Sequence, residues 1–258
     1  MNQDIIPIFY DHSNKGILVY WKHKECTENG AKSIVDICKE NNISDCYSIS
    51  KNFYTFIEAW DNLKEQNINF HFGLEILLQD NHKIVVWLKS ENAYKSAIKL
   101  YSIWKTKLEN KVGDDFLLSY KDFNEYWKNE DFMLMIPYFD SFLYKNLMTY
   151  NNTIIPDFSA VNKENIFVQR EIDSGLPFAH LIDNEIDKYT KENNISAENI
   201  LSTKSCFYYK KEDFKAFQVN QCIHNRSTYD KPNREFLCSN NFSFEDWQNL
   251  AKIDQNTK

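Results

Sequence analysis

The chain has 258 residues, with 30 Lys+Arg against 37 Asp+Glu and a formal charge of −7. Its 43% hydrophobic content, including 19 Phe, 15 Tyr and 6 Trp, excludes a disordered chain and supplies a large aromatic-rich core. Only five glycines are present and neither G-x-G-x-x-G nor G-x-x-x-x-G-K-[ST] occurs, which excludes the Rossmann and P-loop nucleotide folds.

Taken in order, the hydrophobic pattern alternates short strands with helices. Ile5–Tyr10 reads as a first strand, with Gly16–Trp21 extending or following it. Ala31–Asn41 carries Ile34, Val35, Ile37 and Cys38 at helical spacing. A strand at Asp45–Ile49 precedes a helix over Phe53–Gln66, and two strands follow at Phe70–Leu78 and Lys83–Leu88. Ala93–Leu108 is helical, Ser119–Trp127 is a short helix behind a Ser cap, and Phe132–Ile136 is a strand. The stretch from Asp140 to Asn165 is less regular. A strand at Asn165–Gln169, a helix at Pro177–Asn193, a strand at Ile200–Thr203 and a helix at Lys211–Val219 lead into a turn-rich tail, Asn233–Trp247. This alternation predicts an α/β domain over residues 1–258 with no internal boundary, closed as a barrel or, alternatively, laid out as an open doubly wound sheet.

The acidic balance argues against a protein that grips nucleic acid with its whole surface. The lysine groups Lys22, Lys24 and Lys32, and Lys204, Lys210, Lys211 and Lys215, read as solvated rims. No basic segment followed by a long apolar run opens the chain, and stretches such as Met133–Pro137 are too short to span a bilayer, so neither a signal peptide nor a membrane partner is expected. Cys26, Cys38, Cys46, Cys206, Cys222 and Cys238 form no C-x-x-C and read as reduced thiols of a cytoplasmic protein.

Four segments, in order, resemble one family. They are F-Y-D-H-S at Phe9–Ser13, I-N-F-H-F-G-L-E at Ile68–Glu75, the strand and Tyr-Lys helix of His82–Leu100, and the run from Ile200 through Cys222 to Y-D-K-P-N-R-E-F at Tyr229–Phe236. The last is followed by F-S-F-E-D-W, and this pairing is the sharpest of the matches. Together they resemble the polymerase and histidinol phosphatase (PHP) domain that begins the bacterial DNA polymerase III alpha subunit. The resemblance implies a distorted (β/α)7 PHP-type barrel as a single domain, with its chemistry at the C-terminal strand ends. It also implies a relation to DNA replication, with no polymerase palm in this chain, so that the gene is split or the module is free-standing.

Active members of that family hold two or three metal ions with His, Asp and Glu, the ions generating hydroxide and neutralising the developing phosphoryl charge. Carried over residue by residue, the first His of the family's H-x-H-S falls on Tyr10 and the second on His12. The Asp-His pair falls on Ile49 and Ser50, Glu75 is retained, and a later loop falls near Ile136, Pro137 and Tyr138. The His after Gln-Arg becomes Glu171, and the final Asp-x-His lands on Ser205 and Phe207. The metal ligands that remain are His12, Glu75 and Glu171. Against a ligand role, His12 reads as a hydrogen-bonded histidine at a strand end, and Glu75 as the partner of a lysine. His71, His82, His180 and His224 have no ligand spacing and read as structural or exposed.

The expected function is therefore a non-catalytic PHP-like module, a scaffold or accessory in DNA replication without a cofactor. Its expected partner is a separately encoded DNA polymerase portion or a proofreading exonuclease, with DNA met only indirectly. The alternative is a residual metal-dependent phosphoesterase or 3′–5′ exonuclease that uses His12, Glu75 and Glu171 with zinc or manganese.

Overall fold

The computed structural model describes residues 5–12, 15–21, 30–113, 115–148, 153–230 and 239–256. Seven strands follow one another in a closed hydrogen-bonded order, β1-β2-β3-β4-β7-β8-β9. Their bounds are β1 Ile6–Tyr10, β2 Asp45–Ser50, β3 Asn69–Leu77, β4 Lys83–Leu88, β7 Phe132–Ile136, β8 Ile166–Glu171 and β9 Ile200–Cys206. The helices are α1 Ile34–Glu40, α2 Phe56–Lys64, α3 Ala93–Thr106, α4 Tyr120–Tyr126, α5 Phe142–Met148, α6 Ala179–Glu192, α7 Phe214–His224 and α8 Phe244–Asn256. Closure of the ring selects the barrel and disposes of the open doubly wound alternative. Among the described residues no helix is long and apolar enough to cross a membrane.

Strand and helix alternate only loosely. β3 and β4 form a hairpin with no helix between them, and β4 runs antiparallel to both β3 and β7. The turn closes because Asn81 takes a left-handed conformation (φ 57°), with Leu78 N donating to His82 O at 2.9 Å. A second, two-stranded hairpin, β5 Lys111–Val112 with β6 Asp115–Phe116, is inserted after α3. Gly16–Trp21 is not a strand but an extended segment held by single bridges from Asp11 to Leu18 and from Val19 to Ser33.

The chain divides into two compact units. The first comprises Met1–Phe72, Glu171–Pro177 and Ser202–Lys258. Within it β1 lies between β2 and β9, parallel to both. Phe9, Ile34, Ile37, Cys38, Cys46, Leu63, Cys206 and Phe244 belong to one hydrophobic core there. Cys38, Cys46, Cys206 and Cys222 are buried free thiols; Cys26 and Cys238 lie outside the described residues. Two caps set helix starts in this unit. The Ser33 hydroxyl accepts from Asp36 N, and Ser243 and Asp246 cap each other reciprocally, the Asp246 carboxylate taking Ser243 N and the Ser243 hydroxyl taking Asp246 N, both at 3.1 Å.

The second unit comprises Gly73–Arg170 and Phe178–Leu201. Its β7 and β8 are parallel, and Ser119 caps α4 as its sequence suggests. His82 is fully buried here, edge-on to Phe142 at 5.8 Å, and among the described residues neither ring nitrogen has a hydrogen-bond partner. Burial pulls its pKa down to about 4, against the opposing field of Asp80 and with the help of Lys145. The unfolded chain therefore takes up the proton first. The stability this neutral imidazole allows is present above pH 6.5 and is lost as pH falls toward about 4. That loss amounts to about 3 kcal/mol. A His82→Phe variant is expected to flatten this acid limb, read as melting temperature across that pH range, and to be no less stable than wild type at neutral pH. An unchanged limb would assign the acid sensitivity to other groups.

Candidate functional site

In the first unit the C-terminal ends of β1 and β9 carry the residues that the sequence singled out. β1 ends at Tyr10 and is followed by Asp11 and His12, against which the segment Lys15–Leu18 is hydrogen-bonded. Gly16 N donates to Asp11 O at 2.8 Å, His12 N to Leu18 O at 3.1 Å and Ile17 N to Phe207 O at 2.8 Å. Only glycine fits at 16, since a Cβ there would lie 1.7 Å from the Tyr10 carbonyl oxygen. From α7, Asn220 Nδ2 donates to Gly16 O at 3.3 Å and Gln221 Nε2 donates to Lys15 O, so the loop is strapped down from outside.

Beside this loop the Tyr10 and Phe207 rings lie nearly parallel with centroids 4.3 Å apart. Phe207 also meets Phe217 at 5.4 Å and Phe242 at 6.2 Å, and Phe207 N donates to Phe242 O at 3.0 Å. Offset and edge contacts of this kind add about 1 kcal/mol each beyond burial. Two of the positions on which the resemblance places histidine ligands are thus occupied by a stacked aromatic pair.

The remaining candidates are separately engaged. His12 is partly buried, and among the described residues its buried Nδ1 has no hydrogen-bond partner. Glu171, at the end of β8, is wholly buried. Its carboxylate accepts from Ser205 N at 2.9 Å and from Ser205 Oγ at 2.7 Å, and it faces Lys204 Nζ at 3.7 Å. Burial pushes the Glu171 carboxyl up to about 7, against the pull of Lys204 and Ser205. Ile49 and Ser50 are buried at the end of β2.

Glu75 belongs to the second unit, on β3. There Lys83 Nζ stands 3.5 Å from its carboxylate and 2.8 Å from that of Asp140. Burial pulls Lys83 down, but the Glu75 and Asp140 carboxylates overcome it and hold the ammonium above the usual lysine range. The expected lysine partner of Glu75 is therefore in place. Lys83→Met is expected to lower stability by about 2 kcal/mol, because it removes the ammonium that faces the mostly desolvated Glu75 carboxylate. The loss is below that of a fully buried pair because Asp140 is nearly half exposed and water screens its part. Chemical denaturation of the variant measures it, and an unchanged midpoint would mean that the pair contributes nothing.

Among the described residues of the first unit, sequence reasoning missed the buried charged side chains of Asp11, Lys204 and the capping Asp246. Asp11 is fully buried and accepts from Thr55 Oγ1 at 2.7 Å. Lys204, read as part of a solvated rim, is fully buried instead. The remainder of that group is more open, Lys210 reaching Glu212 and Lys211 reaching Asp246. Lys22 and Lys24 lie outside the described residues, as do residues 231–238 of the D-K-P-N-R segment and Ser13 of the first segment.

A two-metal centre needs several His and carboxylate donors free to converge on ions about 3.5–4 Å apart. Among the described residues no three His, Cys, Asp or Glu side chains gather in a way that holds a metal ion. Glu171 is taken up by Ser205 and Lys204, and rings fill two of the donor positions. These described residues do not supply the donor set of such a centre. No protein-family model matches the sequence, and no curated protein matches it.

Proposed function

We propose that this chain is a non-catalytic barrel module of the PHP type that serves as a scaffold or accessory in DNA replication. On this reading it docks a separately encoded polymerase portion or a proofreading exonuclease and meets DNA only through that partner. The reading rests on the resemblance of four ordered segments to the PHP domain of the polymerase III alpha subunit. The observation that carries its non-catalytic half is the Tyr10–Phe207 stack, which puts two packed rings where a metal-dependent hydrolase of that type requires imidazoles. The strapped loop over Gly16 and the commitment of Glu171 to Ser205 support it further.

A scaffold keeps its packed core while its ligands drift, and the first unit has that character. The test is affinity purification of the tagged chain from its native host. The expected result is a complex containing a replicative polymerase component or a 3′–5′ exonuclease. A chain that purifies alone, hydrolyses phosphoesters with manganese or zinc, and loses that activity on His12→Ala would establish the residual phosphoesterase in its place.

A further inference from the structure

Lys204 reaches into the interior of the first unit, and its surroundings are those of a cation site. Nζ donates to Ile172 O at 2.9 Å and to Asp173 O at 2.8 Å, both in the turn that leaves β8. A carboxylate oxygen of Glu171 stands at 3.7 Å, and the Phe242 ring offers its face at 5.3 Å. All four neighbours are electron-rich, which suits an ammonium with three protons to place. Taken without the lysine, the cradle is one carboxylate and two backbone carbonyls, the oxygen set that hard cations take.

The cradle shapes the chain around it. Asp173 and Gly175 both have left-handed backbones (φ 50° and 67°), so the turn directs two successive carbonyls inward to Nζ. Asn241 Nδ2 adds a longer bond to Asp173 O at 3.4 Å, and a Cβ on Gly175 would lie 2.5 Å from Ser239 Oγ, which ties the turn to the segment before α8. Without a cation, Ile172 O would lose its bond from Nζ, Asp173 O would keep the longer bond from Asn241, and the buried Glu171 carboxylate would keep Ser205 but lose its facing charge.

We propose that the Lys204 ammonium is a tethered structural cation, which fills from within the chain an oxygen-lined site that would otherwise require a bound ion. The ligand class of the site is a primary alkylammonium, and the side chain supplies it. This places Glu171 in the folding of the Ile172–Pro177 turn, and it holds whether or not the chain works in replication.

The test is thermal unfolding of Lys204→Ala, refolded with n-propylammonium chloride, n-propanol, potassium chloride or manganese chloride. The variant is expected to melt about 10 °C below wild type. n-Propylammonium, which replaces the missing methylenes and charge, is expected to restore much of that loss by binding the folded form. n-Propanol, which replaces the bulk alone, is expected to restore little. Equal rescue by n-propanol, or a Lys204→Met variant as stable as wild type, would overturn the proposal by reducing Lys204 to filler. If Lys204→Ala does not fold with any additive, a cycle of Lys204→Met, Glu171→Gln and the double variant decides. Recovery in the double variant relative to either single supports the tethered cation, and simple additivity of the losses contradicts it.

Discussion

Gly16→Ala is expected to destabilise the protein by roughly 3 kcal/mol or more, beyond the range of an ordinary loop substitution. The new methyl would sit 1.7 Å from the Tyr10 carbonyl oxygen, a backbone atom that cannot turn aside as a side chain would. Relief requires the loop to lift, and lifting breaks a connected set of bonds. Gly16 N to Asp11 O, Ile17 N to Phe207 O and the two amide straps from α7 all depend on that closeness. The loss is read as the shift in denaturation midpoint at unchanged slope. Hydrogen exchange at Ile17 N and Gly16 N should accelerate before the rest of the first unit, since this loop opens first. A variant as stable as wild type would mean that the loop is not packed against the end of β1.

Phe207→Ala is expected to lower stability by about 3 kcal/mol, a value moderated because the ring is only partly buried. The truncation removes three ring contacts at once, with Tyr10, Phe217 and Phe242. It also uncovers Tyr10, itself almost wholly buried. Phe207→Leu should recover part of the loss by refilling the volume, and the difference between the two variants isolates what packing contributes. A double cycle with Tyr10→Ala should show coupling of about 1 kcal/mol between the two rings. Zero coupling would remove the stacked pair as an energetic feature and leave it a chance proximity.

Much of the barrel can be read from the chain because each strand writes its burial into its own composition. I-P-I-F-Y, K-I-V-V-W-L and F-M-L-M-I are buried apolar runs, and each is a barrel strand where the pattern places it. Strand direction is different in kind. The antiparallel course of β4 depends on a short turn closed by Asn81, and an Asn in a chain with 30 of them stands out to no reader. The α5 helix was hidden in the stretch read as irregular, because seven residues carry too few turns to show a period. The start of α8 is legible in the sequence, since S-F-E-D is a capping box with Asp in the closing position.

The site divides along the same line. The replacement of the donors that the resemblance implies by Tyr10, Ile49 and Phe207 follows from residue identity alone. That Tyr10 and Phe207 touch is a contact across most of the chain, set by β1 and β9 lying side by side in parallel register. Lys204 is the clearest case of an illegible feature. Its neighbours Lys210, Lys211 and Lys215 are on or near the surface, and nothing local distinguishes it. Its burial follows from the β9 run Thr203–Cys206, in which four successive residues are covered and no alternation betrays an outer face.

The most direct measurement is calorimetric titration of the purified, chelator-treated protein with manganese and with zinc, followed by metal analysis of the dialysed samples. The Tyr10–Phe207 stack in two donor positions, with Glu171 already bound to Ser205 and Lys204, predicts no stoichiometric uptake of either ion and an unchanged melting temperature. Retention of one or more equivalents, with a rise in melting temperature that His12→Ala and Glu171→Gln both abolish, would contradict it.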